Sequence, residues 1–268
     1  MNIGINLYSK WPYQRIIKSF KENGINRTFV CTDHPEFTSA MKCLKRNNIQ
    51  VDNFHAPFKG LNRIWSEEKE GVEPLKIYLN SVDLCVKYDV PLLVVHVSNG
   101  RPMPPISNQG VERFKKFMCY ANNRGVVVAI ENHRYVENVK YIMDMFSEAK
   151  FCYDTSHAHG FTHGVDYTSI WGKRMSATHI SDNDSVCDKD MHMLPFDGII
   201  DFDSVARKLV KYEYNGTLML EIKPDNHIMY SHMGIEEYYV RATNSLNRLK
   251  SIVEKYEFEY KKVRSFTL

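Results

Sequence analysis

At 268 residues the chain has the length of one (β/α)8 barrel, typically about 250 residues, rather than of two ordinary domains. Its 43% hydrophobic content can fill a large core, and 25% charged residues is ordinary for a soluble globular protein. The formal net charge of +3 lacks the strong basic bias of a nucleic-acid binder, although a local basic rim would be hidden in the sum.

The chain opens on M-N-I-G-I-N-L-Y, a strand pattern over 2–7. No basic region or long apolar stretch precedes it, so neither a signal peptide nor a membrane span is expected, and a reducing, cytoplasmic location is the default. A helical segment over 13–23 carries Ile16, Ile17 and Phe20 on one face and stops near Gly24. Strand-like runs follow at 28–31 and 50–54, the second ending before His55. A helix over 75–88 is expected from Ile77, Leu79, Val82, Leu84, Cys85 and Val86, and the run 91–95 then ends before His96. Phe114, Phe117, Met118 and Ala121 place a helix over 111–121, and the apolar run 126–130 ends before Glu131. Val139, Ile142, Met143 and Phe146 place a helix over 136–146, before the run 150–153 and Asp154. The run 175–178 precedes His179, and the run 217–220 precedes Glu221, with helices over 204–212 and 236–256.

Short continuous apolar runs read as buried parallel strands, and their alternation with helical segments predicts βαβ units. Eight such units suit a closed (β/α)8 barrel in one domain over 1–268 better than an open sheet. The longest irregular stretches, 59–73, 98–109 and 181–201, all follow strand ends, where a barrel keeps its substrate loops. The six cysteines form no C-x-x-C pair and are expected to be reduced, with Cys187 set apart by its polar loop.

Six runs in succession thus end on a residue able to hold a metal: His55, His96, Glu131, Asp154, His179 and Glu221. A barrel builds its active site at the carboxyl ends of its strands, so these side chains would gather at one mouth. Glu131 in A-I-E-N-H-R needs a partner if buried, either a cation such as Arg134 or Lys223 or a metal ion. Glu221 in L-M-L-E-I-K-P has the same two readings. Asp154 and His157, three apart in C-Y-D-T-S-H, can converge on one ion or on two neighbouring ions, while His159 lies one residue too far along. Glu131, Asp154, His179 and Glu221 make an oxygen-rich set with one nitrogen, which suits Mn²⁺, Mg²⁺ or Co²⁺ better than a structural zinc. His55, His96, Asp190 and His192 remain open between metal, substrate and structural roles. Trp65 on the loop after the third strand is either a lid residue or a packed loop anchor.

The stretches F-H-A-P-F-K-G-L-N-R-I-W, V-V-H-V-S-N-G, A-I-E-N-H-R, C-Y-D-T-S-H, T-H-I-S-D-N-D, D-M-H-M-L-P-F-D-G-I-I-D-F and G-T-L-M-L-E-I together resemble the xylose isomerase-like TIM barrels. That group includes sugar phosphate isomerase/epimerase proteins, ketose 3-epimerases and type IV apurinic/apyrimidinic endonucleases. In its epimerase branch the resemblance implies one divalent ion on Glu131, Asp154, His179 and Glu221. The two glutamates would exchange protons with the sugar carbon, and His157 would touch substrate. Ketose 3-epimerases also carry an arginine shortly after the histidine matched by His179, where this chain reads I-S-D-N-D-S. In the endonuclease branch the resemblance implies three zinc ions on His55, His96, Glu131, Asp154, His157, His179, Asp190, His192 and Glu221. All nine residue types are present, but that branch's other signatures and a basic bias are not.

The sequence therefore predicts a divalent-metal-dependent sugar, or sugar phosphate, isomerase or epimerase working through a metal-stabilised enediolate. Glu131 and Glu221 would move the proton, and Arg134 and Lys223 would join the substrate site. The expected cofactor is Mn²⁺, Co²⁺ or Mg²⁺, with Zn²⁺ as the alternative, and the partner is a small carbohydrate. Nucleic acid and membrane are not expected, and homo-oligomerisation is compatible. The alternatives are a trinuclear zinc phosphodiesterase resembling endonuclease IV and a non-catalytic binding protein on the same barrel.

Overall fold

The structure, a computed structural model, describes residues 1–162, 165–185 and 188–265, with side chains to 262. Eight strands run in chain order: β1 (Asn2–Ile5), β2 (Arg27–Cys31), β3 (Gln50–His55), β4 (Leu92–Val95), β5 (Val127–Glu131), β6 (Lys150–Asp154), β7 (Met175–His179) and β8 (Thr217–Leu220). All pair in parallel, β2 through β7 as neighbours in sequence order and β1 with β8. Backbone hydrogen bonds close the two seams. Leu7 N–H donates to Phe29 O at 3.1 Å between β1 and β2, and Ile180 N–H donates to Met219 O at 2.8 Å between β7 and β8. The result is a (β/α)8 barrel.

Strand alternation divides the buried residues into two sets. Leu93, Val95, Val128, Ile130, Phe151, Tyr153, Leu218 and Leu220 join the large core shared with the helices. On β3, Phe54 packs its ring 5.2 Å from Phe37 and 6.3 Å from Tyr88. The intervening positions face the barrel axis. Val94, Ala129, Cys152 and Ala177, one from each of β4 to β7, form a separate small cluster. Two residues further along each strand, on the same face, stand His96, Glu131, Asp154 and His179. The strand pattern that fills the barrel therefore also aims the ligand-type residues into its mouth. Gly4 keeps room in this interior, because a Cβ there would meet the Met219 side chain at 2.7 Å.

The outer layer comprises α1 (Tyr13–Glu22), α2 (Phe37–Arg46), α3 (Val72–Tyr88), α4 (Asn108–Asn123), α5 (Val136–Met145), α6 (Thr155–Gly160), α7 (Tyr167–Trp171), α8 (Phe202–Lys211) and α9 (Ile235–Ser265). α2 was not expected from the sequence. Its ten residues bury only Phe37, Ala40, Met41 and Leu44, a helical stripe thinned by three lysines or arginines. α4 begins earlier than expected because Ser107 caps it, its side chain accepting from Gly110 N–H at 2.9 Å. The stretch 59–73 is partly ordered into 3₁₀ turns at Leu61–Trp65 and Lys69–Gly71. Cys31, Cys43, Cys85, Cys119 and Cys152 are free thiols, and Cys187 lies outside the described residues. No helix among the described residues is long and apolar enough to cross a membrane.

Candidate metal centre at the barrel mouth

The carboxyl ends of β5 to β8 bring Glu131, Asp154, His179 and Glu221 together, with donor atoms all within 4.8 Å of one another. His55 and His96 form a second such group with the same Glu131. Parallel register sets Asp154 directly beside His179 and Glu131 beside Cys152. Glu131, Asp154 and His179 are fully buried, whereas Glu221 retains 8% exposure.

Glu131 is the hub. Its Oε2 faces His55 Nε2 at 3.0 Å and His96 Nε2 at 2.9 Å, and its Oε1 faces His179 Nδ1 at 3.0 Å. Neither Arg134 nor Lys223 neutralises it: Arg134 pairs with Asp188, and Lys223 Nζ lies 3.8 Å from Glu221 Oε1. The cation reading of Glu131 is thereby corrected. Burial opposes its charge, but His179 and His96 outweigh that and hold its carboxyl well below the usual range. Glu221 is likewise held low, with burial outweighed by His192, Lys223 and His179.

Asp154 caps α6, its Oδ1 accepting from His157 N–H at 2.6 Å. Its Oδ2 is buried without a hydrogen-bond partner. Burial, reinforced by Glu131, Asp190 and Glu221, pushes this carboxyl up to about 7. A buried carboxylate oxygen left bare costs on the order of 1–3 kcal/mol or more, and a cation at this point would satisfy it.

The histidines are oriented for the same purpose. A carbonyl oxygen can only accept, so Nδ1 is the protonated nitrogen wherever it meets one. His55 donates it to Ala56 O at 2.8 Å, His157 to Asn132 O at 3.0 Å, and His192 to Glu221 O at 3.1 Å. Each Nε2 then turns towards a carboxylate: His55 to Glu131, and both His157 and His192 to Asp190, with the Lys223 ammonium also donating to His192 Nε2. A lone pair against a carboxylate oxygen repels unless a proton or a metal cation stands between them. At His157 burial disfavours the extra proton, yet Asp154 and Asp190 override it and raise this group to about 10. At His96 burial wins over Glu131 and lowers the imidazole to about 4. The donor set and its orphaned atom thus fit a divalent cation.

Asn132 positions two of these residues. Its side chain donates to Asp154 O at 2.9 Å and accepts from Asp154 N–H at 2.7 Å, while its own carbonyl holds His157. The loop carrying Asp190 and His192 is tied down by Asp182, which accepts from Gly198 N–H at 2.9 Å and Ile200 N–H at 3.0 Å. Gly160 lets this loop approach α6, since a Cβ there would collide with Lys189 O.

Phe29 stacks on His179 and Phe58 on His96, both at 4.6 Å between ring centroids. Sequence reasoning missed His133, which is buried 4.6 Å from the His96 ring and 4.8 Å from that of His157. Its signal was the histidine two residues beyond Glu131 in E-N-H. His159 is half-buried on α6. Trp65 takes the anchoring role and not the lid role. It is 2% exposed, donates from Nε1 to Val97 O at 2.7 Å and packs 5.0 Å from Phe114.

The chain is 27% identical over 203 residues to the uncharacterized protein y4fM of Sinorhizobium fredii, covering 70% of this chain and 62% of that protein. It therefore spans less than two thirds of that relative's length. A solved L-ribulose 3-epimerase superposes with a TM-score of 0.77 at 13% identity, covering 98% of both chains. The IOLI protein solved with a bound zinc atom superposes with a TM-score of 0.73 at 15% identity, covering 96% of this chain and 99% of that one. At these identities the two structures share a fold. The strand-end signatures read from the sequence sit within residues 18–250, which match the family described as xylose isomerase-like TIM barrel, and to that family the chain belongs.

Proposed function

We propose that the protein is a divalent-metal-dependent isomerase or epimerase of a small carbohydrate. The observation that carries this reading is the convergence of Glu131, Asp154, His179 and Glu221 within 4.8 Å at the barrel mouth. Its carbohydrate class draws support from the L-ribulose 3-epimerase that shares the fold. A divalent ion held by these four residues would supply Lewis-acid polarisation of a carbonyl and the hydroxyl beside it. Mn²⁺, Co²⁺ and Mg²⁺ suit three carboxylates and one imidazole, and zinc is the ion named for the IOLI protein.

The chain's own residues divide the remaining work. Glu131, with both oxygens facing imidazoles, fixes the site and shares the proton transfer. Glu221 is the more exposed of the two glutamates and has Lys223 beside it. It removes the proton from carbon and, with Glu131 on the opposite wall, returns one. His157 contributes an Nδ1–H anchored on Asn132 and a second nitrogen turned towards Asp190. Phe58 and Phe29, stacked on the histidines, exclude water beneath the substrate.

A trinuclear phosphodiesterase is the second reading, favoured by the His55–His96–Glu131 and His157–Asp190–His192 groups. Lys223 weighs against it. Its Nζ donates to His192 Nε2 at 2.5 Å, placing an ammonium at the nitrogen that a third ion would need.

Solvent deuterium exchange over a panel of sugars tests the proposal. Ketoses, aldoses and their phosphates, incubated in D₂O with Mn²⁺, should gain deuterium beside the carbonyl of at least one substrate, and lose that gain with Glu221→Gln. Incision of abasic-site DNA with zinc, abolished by His96→Ala, would replace this reading with the second.

A further inference from the structure

We propose that Arg134 and Arg101 form an anion subsite on the rim of the mouth, which takes the phosphate or carboxylate group of an anionic sugar. Asp188 would occupy that position until the substrate arrives. The proposal deepens the carbohydrate reading and rests on it for the identity of the substrate, but the subsite is argued from its own geometry.

Arg134 directly follows E-N-H at the end of β5, and its side chain is only 14% exposed. Its guanidinium lies 3.8 Å over the ring of Phe161. That ring in turn stacks on His157 at 5.0 Å and 23°. A fixed cation therefore stands one aromatic ring away from the centre. Arg101 reaches the same place from the loop after β4, its Nε donating to Asp188 Oδ2 at 2.9 Å. Arg134 pairs with the other oxygen of that carboxylate.

One carboxylate thus serves two guanidinium groups. Arg134 Nε is buried without a hydrogen-bond partner, so the more buried cation of the pair has an unused donor. Burial and the nearby Arg101 both disfavour the charge of Arg134, as expected where two cations outnumber the anion between them. Asp188 is 39% exposed, and displacing it into water leaves the planar donor fork of Arg134 free. Such a fork matches phosphate or carboxylate geometry in a bidentate manner.

Calorimetric titration of the purified protein with inorganic phosphate, and separately with acetate, tests this. Asp188→Asn removes the internal competitor and should tighten phosphate binding roughly tenfold, and Arg134→Met should weaken it by at least about tenfold. Arg101→Met, more exposed, should weaken it about threefold. Arg134→Lys, which keeps the charge and the packing stem, should lie between wild type and Arg134→Met, and replaces it should that variant fail to fold. Tighter binding of phosphate than of acetate assigns a phosphorylated sugar, and the reverse order assigns a sugar acid. Affinity that is unchanged in Asp188→Asn and in both Arg134 variants, or that disappears when metal is stripped with EDTA, overturns the subsite. The readout is binding and not turnover. A flat response therefore leaves the isomerase reading standing, and a failed deuterium exchange leaves the subsite standing.

Discussion

The two ends of the same barrel use polar groups in opposite ways. At the amino-terminal end, Arg27 Nη1 donates to Asp52 Oδ1 at 2.6 Å, and Thr217 Oγ1 donates to Asp52 Oδ2 at 2.5 Å. Cation, anion and hydroxyl satisfy one another, and nothing more is required. At the carboxyl end, by contrast, several carboxylates crowd against imidazoles, and Asp154 Oδ2 is buried without a hydrogen-bond partner. The first arrangement is complete within the chain, whereas the second leaves a carboxylate oxygen that a cation would satisfy. Single orphaned atoms occur at both ends, Asn53 Oδ1 and Ser176 Oγ among them at the first, so the carboxyl end is set apart by several ligand-type side chains converging around one unpartnered carboxylate oxygen.

Substitutions at the two ends should therefore separate activity from stability. The largest effect is expected at Glu221→Gln. The amide keeps one oxygen able to ligate but cannot carry a proton, so turnover should fall about 10²–10⁴-fold while metal content is retained. Near-normal turnover in that variant would reduce Glu221 to a ligand. The pH dependence of metal binding is the next sharpest contrast. Asp154 is raised to about 7 in the chain alone. Below that pH the incoming ion must displace its proton, so affinity should fall about tenfold per pH unit from this group. Above pH 7 that contribution should flatten, as competition with a chromogenic chelator would reveal.

The opposite end should behave in the reverse way. Asp52→Ala leaves Arg27 and Thr217 without their acceptor and should cost about 1–3 kcal/mol in chemical denaturation, with kcat/KM unchanged. A loss of activity at unchanged stability would erase the contrast. Trp65→Phe should have the smallest effect. It removes one hydrogen bond, to Val97 O, and should lower stability by about 1 kcal/mol without altering turnover.

The barrel was legible in the sequence because six of the eight strands repeat one pattern, an apolar run closed by a ligand-type residue. Runs such as V-V-V-A-I before Glu131 fit parallel strands buried on both faces, and their short length and β-branched content favour strand over helix. α2 escaped because its apolar stripe is carried by Phe37, Ala40, Met41 and Leu44 among polar neighbours. The four-residue group could be chosen from residue type and strand position. The orientation of each imidazole could not, because it depends on carbonyls such as Asn132 O and Glu221 O that the fold brings near. The role of Asp190 stayed open in the sequence, and it touches both His157 and His192 once Asp182 has pinned its loop. The fate of Trp65 was equally undecidable, since it turned on the distant Phe114 and Val97.

Metal content after equilibrium dialysis against Mn²⁺, Co²⁺ and Zn²⁺, read by elemental mass spectrometry, tests the central claim most directly. One tightly held divalent ion per chain is predicted, and that ion should be lost on His179→Ala and retained on Asp52→Ala. Three zinc ions per chain, or a content indifferent to His179→Ala, would contradict it.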